Sequence, residues 1–113
     1  MPSSKEYLDF VLEQLTGLEG LRARAMMGEY VLYCTGEVIG GVYDDRLLLK
    51  PTKSALALLC EEGREAQYEL PYPGAKDMLL ADIDDGALCR RLCAAVAADL
   101  SAAKEKKRGR AGA

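Results

Sequence analysis

The 113-residue sequence contains no histidine, the side chain that most often acts as a general base and metal ligand near neutral pH. Catalysis by Ser-His-Asp or Cys-His groups is therefore impossible within this chain. A glycine-rich phosphate loop is also missing, because Gly36, Gly40 and Gly41 lie within or between predicted strands and not between a strand and a helix. From these absences we expect a protein that is not an enzyme and that uses no cofactor or metal.

Long apolar runs are absent as well. No stretch approaches the roughly 20 apolar residues that a transmembrane helix needs. Residues 1–6 contain no apolar segment of the kind found in signal peptides. We therefore expect no membrane association and a cytoplasmic location.

The cysteines follow no common metal-binding or redox spacing; they are Cys34, Cys60, Cys89 and Cys93. Without a secretory signal, all four are expected to be reduced thiols. Cys89 and Cys93 stand on a predicted helix and are interpreted as small buried side chains. Cys34, beside a turn, is the thiol expected to be exposed.

Carboxylates occur as the adjacent pairs Asp44-Asp45, Glu61-Glu62 and Asp84-Asp85. Such pairs at turns and helix ends are usually solvated or capping groups, and we interpret them in this way. A site for a hard cation or for acid–base chemistry is the alternative interpretation.

Charge is unevenly distributed along the chain. Residues 104–113 carry a net charge of +4, so residues 1–103 carry −7 of a total of −3. An acidic body repels a nucleic-acid backbone, whereas a basic tail can approach one. We expect residues 104–113 to be a disordered tail and the candidate nucleic-acid contact. Its basic residues are Lys104, Lys106, Lys107, Arg108 and Arg110.

Hydrophobic periodicity and turn residues predict an α+β protein with about five strands in the order α-β(3-4)-α-β(2)-α. The first helix is predicted at Ser4–Leu15, with Ser3 as N-cap and Glu6 completing a capping box. Strands are predicted at Leu21–Met27, Glu29–Cys34, Val38–Tyr43, Leu47–Lys50, Gln67–Leu70 and Met78–Ile83, of which the first fits a strand least well.

Two further helices follow from apolar stripes and capping residues. One begins at Pro51-Thr52, and its expected buried residues are Leu56, Leu59 and Cys60. The last is capped by Asp84 or Asp85 and fades after Ser101. Its expected buried residues are Leu88, Leu92, Val96 and Leu100.

Strands joined by short turns predict one two-layer domain over residues 1–103, an antiparallel sheet with helices packed on it. Apolar and polar residues alternate only weakly along the strands. In the second strand Tyr30, Leu32 and Cys34 point to one face, and the equally apolar Val31 and Tyr33 point to the other. A sheet with one face in water should alternate more cleanly. We therefore expect a helix or another copy of the protein to cover part of the second face, and a homodimer is one expectation.

The pair Gly40-Gly41 is unusual because glycine weakens the interior of a strand. The pair either makes room for a tyrosine or helix inside the domain or forms a groove for a partner. The tyrosines on strands and turns are open to the same two interpretations, a core with hydroxyls at its rim or an aromatic binding surface. They are Tyr30, Tyr33, Tyr43, Tyr68 and Tyr72.

Residues 24–50 carry a family resemblance. Arg24, Met26 and Gly28 match an Arg-x-Met-Phe-Gly-Gly-type segment, and Leu47–Lys50 matches a Leu-Tyr-Leu-Lys-type strand. Both are typical of the N-terminal domain of the TfoX/Sxy competence-regulator family. The first helix and, more loosely, residues 68–78 resemble the same family, so the resemblance extends over residues 3–100.

The sequence departs from this family pattern at three positions. Met27 stands where phenylalanine is usual, Glu29 where a second glycine is usual, and Leu48 where tyrosine is usual. The resemblance implies a single-domain member with a two-layer fold and a role near transcription, through contact with a regulator of the cyclic-AMP receptor type. It implies no catalytic residues. The candidate partner-contact residues are Arg24, Met27, Gly28, Tyr33, Gly40, Gly41, Tyr43 and Lys50.

The leading hypothesis is a cytoplasmic, non-enzymatic protein–protein interaction module that serves as a transcription or competence co-regulator. The alternative is a nucleic-acid-associated protein that binds weakly through the basic tail. A small-molecule-binding or enzymatic domain built on Gly40-Gly41 and the tyrosines is a third class, disfavoured by the missing histidine and motifs.

Overall fold

The structure is a computed structural model that describes the backbone of residues 4–111 and the side chains of residues 4–105. Helices and strands follow the predicted α+β order in this part of the chain. They are α1 (Lys5–Gln14), β1 (Leu21–Met26), β2 (Glu29–Cys34), β3 (Glu37–Val42), β4 (Leu47–Leu49), α2 (Lys53–Glu61), β5 (Tyr68–Glu69), β6 (Met78–Leu80) and α3 (Gly86–Ala111). The fold class is confirmed, with six strands where about five were predicted.

The six strands form one sheet in the order β1-β2-β3-β4-β6-β5, and all neighbours are antiparallel. Strands β1 and β5 are therefore its edges. The first three connections are two-residue hairpin turns at Met27-Gly28, Thr35-Gly36 and Asp44-Asp45, and all six residues have positive φ. This is the type I′ geometry, whose twist matches that of the flanking strands.

All three helices contribute to the core on one face of the sheet, which we call the inner face. Alternate residues of the strands point to it, as Leu47 and Leu49 do on β4. The inner-face residues are fully or almost fully buried, and they include Leu32, Cys34, Ile39, Val42, Leu47, Leu49 and Leu79.

The opposite, outer face explains the weak alternation seen in the sequence. Leu48 lies on it between Gly41 of β3 and Leu80 of β6, and its side chain is fully buried. A Cβ atom built on Gly41 would lie 2.8 Å from Cε2 of Tyr43, so the ring of Tyr43 crosses the outer face at this point. The chain itself covers part of its second face, and the homodimer stays a prediction.

Helix α1 begins one residue later than predicted. Its N-cap is Ser4, whose hydroxyl oxygen accepts a hydrogen bond from the amide of Tyr7 at 3.1 Å. The capping-box prediction centred on Ser3 is thus wrong for the N-cap, and Ser3 itself lies outside the described residues. Two neighbouring serines offer the same cap chemistry, and the burial of Leu8 and Val11 sets the phase of the helix.

The predicted stripe of α3 is largely confirmed, and that of α2 is not. In α3, Leu88, Leu92 and Val96 are buried, and Asp85 caps the helix by accepting a bond from the amide of Leu88 at 3.1 Å. In α2 the prediction is wrong for two of three residues: Leu59 is buried together with Ala55, whereas Leu56 is half-buried and Cys60 is exposed.

The prediction that Cys34 is the exposed cysteine is wrong, because Cys60 is the exposed one. All four thiols are free, and Cys89 and Cys93 are buried as expected. Cys34, however, is buried and Cys60 is exposed. Cys34 points to the inner face, where its Sγ donates to the carbonyl of Glu19 at 3.4 Å. Cys60 follows Leu59 by one helical position, which turns it away from the core.

Helix α3 continues past Ser101 to Ala111. The predicted disorder of residues 104–113 stays a prediction, and the side chains of Lys106, Lys107, Arg108 and Arg110 lie outside the described residues. Within the described part of the chain, no helix has the length and apolar character needed to cross a membrane.

Candidate functional site

The predicted contact residues separate into two places. Arg24, Met27, Gly28 and Tyr33 belong to the β1–β2 hairpin. Gly40, Gly41, Tyr43 and Lys50 lie on or beside the two central strands β3 and β4. A cross-strand row on the outer face joins the two places, running from Arg24 through Val31 and Gly41 to Leu48.

The tip of the β1–β2 hairpin presents an apolar side chain to solvent. Met27 is 98% exposed and has a φ of +51°. This turn position favours asparagine, aspartate or glycine, because other side chains are strained at positive φ. Neither burial nor turn chemistry therefore accounts for a methionine at this position.

The adjoining strand β1 is exposed along both faces, apart from half-buried Leu21 at its start. Arg22 and Arg24 lie on the outer face, where Arg22 is opposite Tyr33 of β2. A surface cavity of about 580 Å³ follows this strand and is lined by Arg22, Ala23, Arg24 and Tyr33, among others. The hairpin thus combines two cations, an aromatic ring and the methionine.

The glycine pair has an internal explanation. A Cβ atom on Gly40 would lie 2.0 Å from the carbonyl oxygen of Leu48, and one on Gly41 would lie 2.4 Å from that of Tyr30. Both contacts are far below any real Cβ distance. Strand β3 also contains a register shift opposite Leu32 and Tyr33, the kind of irregularity that glycine accommodates. The close approach of neighbouring strands therefore requires both glycines.

A second cavity of about 530 Å³ lies beside β3 and β4, and its lining includes Tyr43, Lys50, Pro71, Tyr72, Lys76 and Met78. Burial raises the pKa of Tyr43, with smaller contributions from Tyr72 and Glu29. Its phenol is therefore neutral near pH 7 and can donate or accept a hydrogen bond. Among the described residues, no group of three or more His, Cys, Asp or Glu side chains is placed to hold a metal ion.

Three of the four thiols offer little reactivity in the folded chain. Burial raises the pKa of Cys89 and of Cys93 to about 12, and it also raises the pKa of Cys34. The thiolate is the nucleophilic form, so these three side chains are unreactive at neutral pH.

One residue of the basic tail is engaged within the domain. Nζ of Lys104 lies 3.1 Å from Oε1 of Glu37 on β3. This ion pair occupies one of the predicted nucleic-acid contacts. The nucleic-acid hypothesis stays a prediction.

The structure adds two residues to these surfaces, Arg22 and Tyr72, that were not among the predicted contact residues; Tyr72 was named only among the tyrosines with two open interpretations. Arg22 shares the outer face with Arg24, and their i, i+2 spacing in a predicted strand was a usable signal. Tyr72 stands across the second cavity from β3. Its position depends on the turn between β5 and β6 folding towards Tyr43, which no local pattern indicates.

Comparison with known proteins shows the family of this chain. A family profile described as the TfoX N-terminal domain matches residues 13–81, which is more than half of the chain. The chain belongs to the TfoX N-terminal domain family. The chain is also similar to an uncharacterized 12.7 kDa protein encoded in the trpE 5′ region of Spirochaeta aurantia. The two are 36% identical over 109 residues, covering 95% of this chain and 91% of the relative.

The matched segment places both candidate surfaces inside the TfoX N-terminal domain. It contains the whole β1–β2 hairpin and both glycines, and it ends just after β6. Helix α3 and the basic residues from Lys104 onward lie outside it.

Proposed function

We propose that this TfoX N-terminal domain is a non-enzymatic protein–protein interaction module, a cytoplasmic co-regulator of transcription or competence, and that the β1–β2 hairpin is its contact surface. The observation that carries the proposal is Met27, an almost fully exposed apolar side chain held at positive φ. A residue that keeps local strain without a packing role is a candidate for function.

The composition of the hairpin supports the same proposal. Methionine, tyrosine and arginine are enriched at protein interfaces, and the hairpin brings together Met26, Met27, Tyr33, Arg22 and Arg24. Met26 is 49% exposed. The flexible thioether of methionine adapts to a partner surface at little cost.

The experiment compares two equivalent turn substitutions. Met27→Asn places the favoured Asn-Gly pair in a type I′ turn, so we expect the strain to fall and the stability to rise by about 1 kcal/mol. Thr35→Asn makes the same change in the turn between β2 and β3, where Thr35 also has a φ of +51°. Both variants should fold, which separates binding from folding.

Each variant and the wild-type chain are used to retain proteins from a nuclease-treated lysate of the source cell, and the retained proteins are identified by mass spectrometry. We expect a transcription regulator to be retained by the wild type and by Thr35→Asn and lost with Met27→Asn. Equal retention by a well-folded Met27→Asn chain would show that the hairpin tip is not the contact.

A further inference from the structure

We propose that the free edge of β1 binds an acidic, extended segment of the partner, which joins the sheet as an additional strand next to β1. This inference rests on the proposed function, because it specifies how the hairpin holds its partner. It names a mode of binding and a ligand chemistry that exposure of Met27 alone does not supply.

The backbone of β1 has hydrogen-bonding groups that point away from the sheet. The turn at Met27-Gly28 makes Met26 and Glu29 the hydrogen-bonded closing pair, and such pairs alternate along an antiparallel ladder. At the other end, the amide of Thr35 donates to the carbonyl of Gly20 at 3.1 Å, which agrees with this alternation. The amides and carbonyls of Leu21, Ala23 and Ala25 therefore face the free edge.

This edge lacks all but one of the common protections against strand addition. Natural edge strands are usually short, bulged, covered, interrupted by proline or charged, and only the last applies to β1, through Arg22 and Arg24. These charges repel a basic or identical strand but not an acidic one. Strand β1 has six residues in uninterrupted register with β2, whereas the opposite edge, β5, has two. Residues 22–26 are exposed, so neither face of the edge is covered.

Charge identifies the chemistry of the added segment. In the described part of the chain, Arg46, Arg64 and Arg91 each pair with a carboxylate, and Arg90 donates to the carbonyl of Gln14. For the two outer-face arginines of β1, Arg22 and Arg24, the described residues provide no such partner. β1 itself contains no acidic residue. Two uncompensated cations on an otherwise acidic body favour a negatively charged strand.

The same arginines disfavour a second copy of this chain. A twofold axis relating two antiparallel β1 strands brings like faces together. Only two registers of such a β1–β1 pair include more than three residues of each strand. One places Arg22 opposite Arg24 of the other copy, and the other places Arg24 opposite Arg24. Like charges directly opposite each other destabilise a strand pair. A foreign segment with acidic residues at alternate positions forms opposite-charge pairs in the same registers.

The probe is an array of synthetic heptapeptides whose alternate positions are glutamate, glutamine or lysine, with valine, isoleucine or threonine between them. We expect the glutamate peptides to bind wild-type chain on the order of tenfold more tightly than the lysine peptides at low salt. This preference should shrink as added salt screens the exposed charges. In the Arg22→Glu, Arg24→Glu double variant it should reverse.

Backbone contact is tested by Ala23→Pro with Ala23→Val as its matched control. Proline removes an amide that faces the free edge and leaves the bonds to β2 intact, which edge strands tolerate. We expect Ala23→Pro to lose peptide binding and Ala23→Val to keep it. Methylation of single peptide amides should abolish binding at every second position, because successive amides of a strand point in opposite directions.

The outcomes separate this inference from the proposed function. Binding without charge preference overturns the acidic chemistry of the ligand. No binding by any peptide, or full binding by Ala23→Pro, overturns strand addition. If the lysate partner of the previous section is lost with Met27→Asn but retained by Ala23→Pro, the hairpin remains the contact and strand addition is wrong. Both proposals are supported if Met27→Asn and Ala23→Pro each lose that partner and if methylation of the peptide amides abolishes binding at every second position.

Discussion

At the scale of single residues, the tightest constraint on this fold is the close packing around Gly40 and Gly41. The backbone of Leu48 approaches one glycine, and the carbonyl of Tyr30 and the ring of Tyr43 approach the other. An aromatic ring lying over a strand glycine replaces the packing that the missing side chain cannot supply. These glycines therefore organise the centre of the sheet before any question of binding arises.

We predict that Gly41→Val destabilises the domain by about 3 kcal/mol or more, because neither a carbonyl oxygen nor a ring can move away without disturbing the sheet. Urea unfolding followed by circular dichroism measures the change. Gly63→Asn is the control, since a Cβ atom there meets nothing within 4 Å and asparagine tolerates positive φ. A Gly41→Val chain that folds with wild-type stability but fails to bind the partner would instead support the groove interpretation.

At the scale of helices and strands, hairpins were the most predictable feature. Thr35-Gly36 and Asp44-Asp45 separate apolar segments that continue as strands, so turn chemistry and hydrophobicity indicate the same boundaries. The first hairpin was less exact, because Met27, predicted as the last residue of its strand, lies in the turn. The boundaries of α1 and the burial of Cys60 were less predictable. In both cases neighbouring residues have equivalent local chemistry, and tertiary packing decides between them.

A polar contact holds α2 against α3. The amide and hydroxyl of Ser54 donate to the two carboxylate oxygens of Asp99, at 2.8 and 2.6 Å. Ser54 lies in the first turn of α2, whose N-cap Thr52 makes no side-chain capping bond. Asp99 thus supplies from α3 the acceptor that an N-cap side chain usually provides.

We predict that Asp99→Asn lowers the stability by a few tenths to about 1 kcal/mol, since solvent screens this partly exposed contact. The hydrogen bonds from Ser54 lower the pKa of Asp99 below its ordinary value of 3.8. A carboxylate whose pKa is lower in the folded than in the unfolded chain stabilises the fold at every pH above its unfolded-state pKa. This stabilisation is lost as the pH falls through the folded-state pKa. The difference between wild type and variant should therefore be full above about pH 5 and vanish at lower pH.

Chemical denaturation at several pH values measures this difference. Asp9→Asn changes an exposed carboxylate of α1 and serves as the control for the general loss of one negative charge. A difference for Asp99→Asn that is constant down to the lowest pH would show that the amide breaks the contact sterically and that charge plays no part.

At the scale of the whole molecule, the candidate site illustrates what local patterns can and cannot supply. Arg24, Met27 and Tyr33 were found from one continuous segment, because a hairpin brings sequence neighbours together. That one edge of β1 is unpaired could not be predicted from a single segment. It depends on the sheet order, in which β6 inserts between β4 and β5 and leaves β1 at the opposite end.

Charge at this scale also separates the two functional hypotheses. Residues 1–103 carry −7, and the tail brings the total to −3. We predict that a chain ending at Ala103 still retains the protein partner after nuclease treatment, because the β1–β2 hairpin lies wholly within residues 21–34 and includes no residue of the tail. The loss of the Lys104–Glu37 ion pair should cost on the order of 1 kcal/mol, because the side chain of Lys104 is exposed but that of Glu37 is only 12% exposed.

The full chain and the chain ending at Ala103 are compared in the same retention experiment, and their binding to labelled duplex DNA is measured over a range of salt concentrations. Partner retention by both chains places the binding in the folded domain. If retention instead requires nucleic acid, falls steeply with salt and disappears with the tail, counterion release from phosphates is the driving force. The protein would then act through its basic tail, and the exposed methionine of the hairpin would need another explanation.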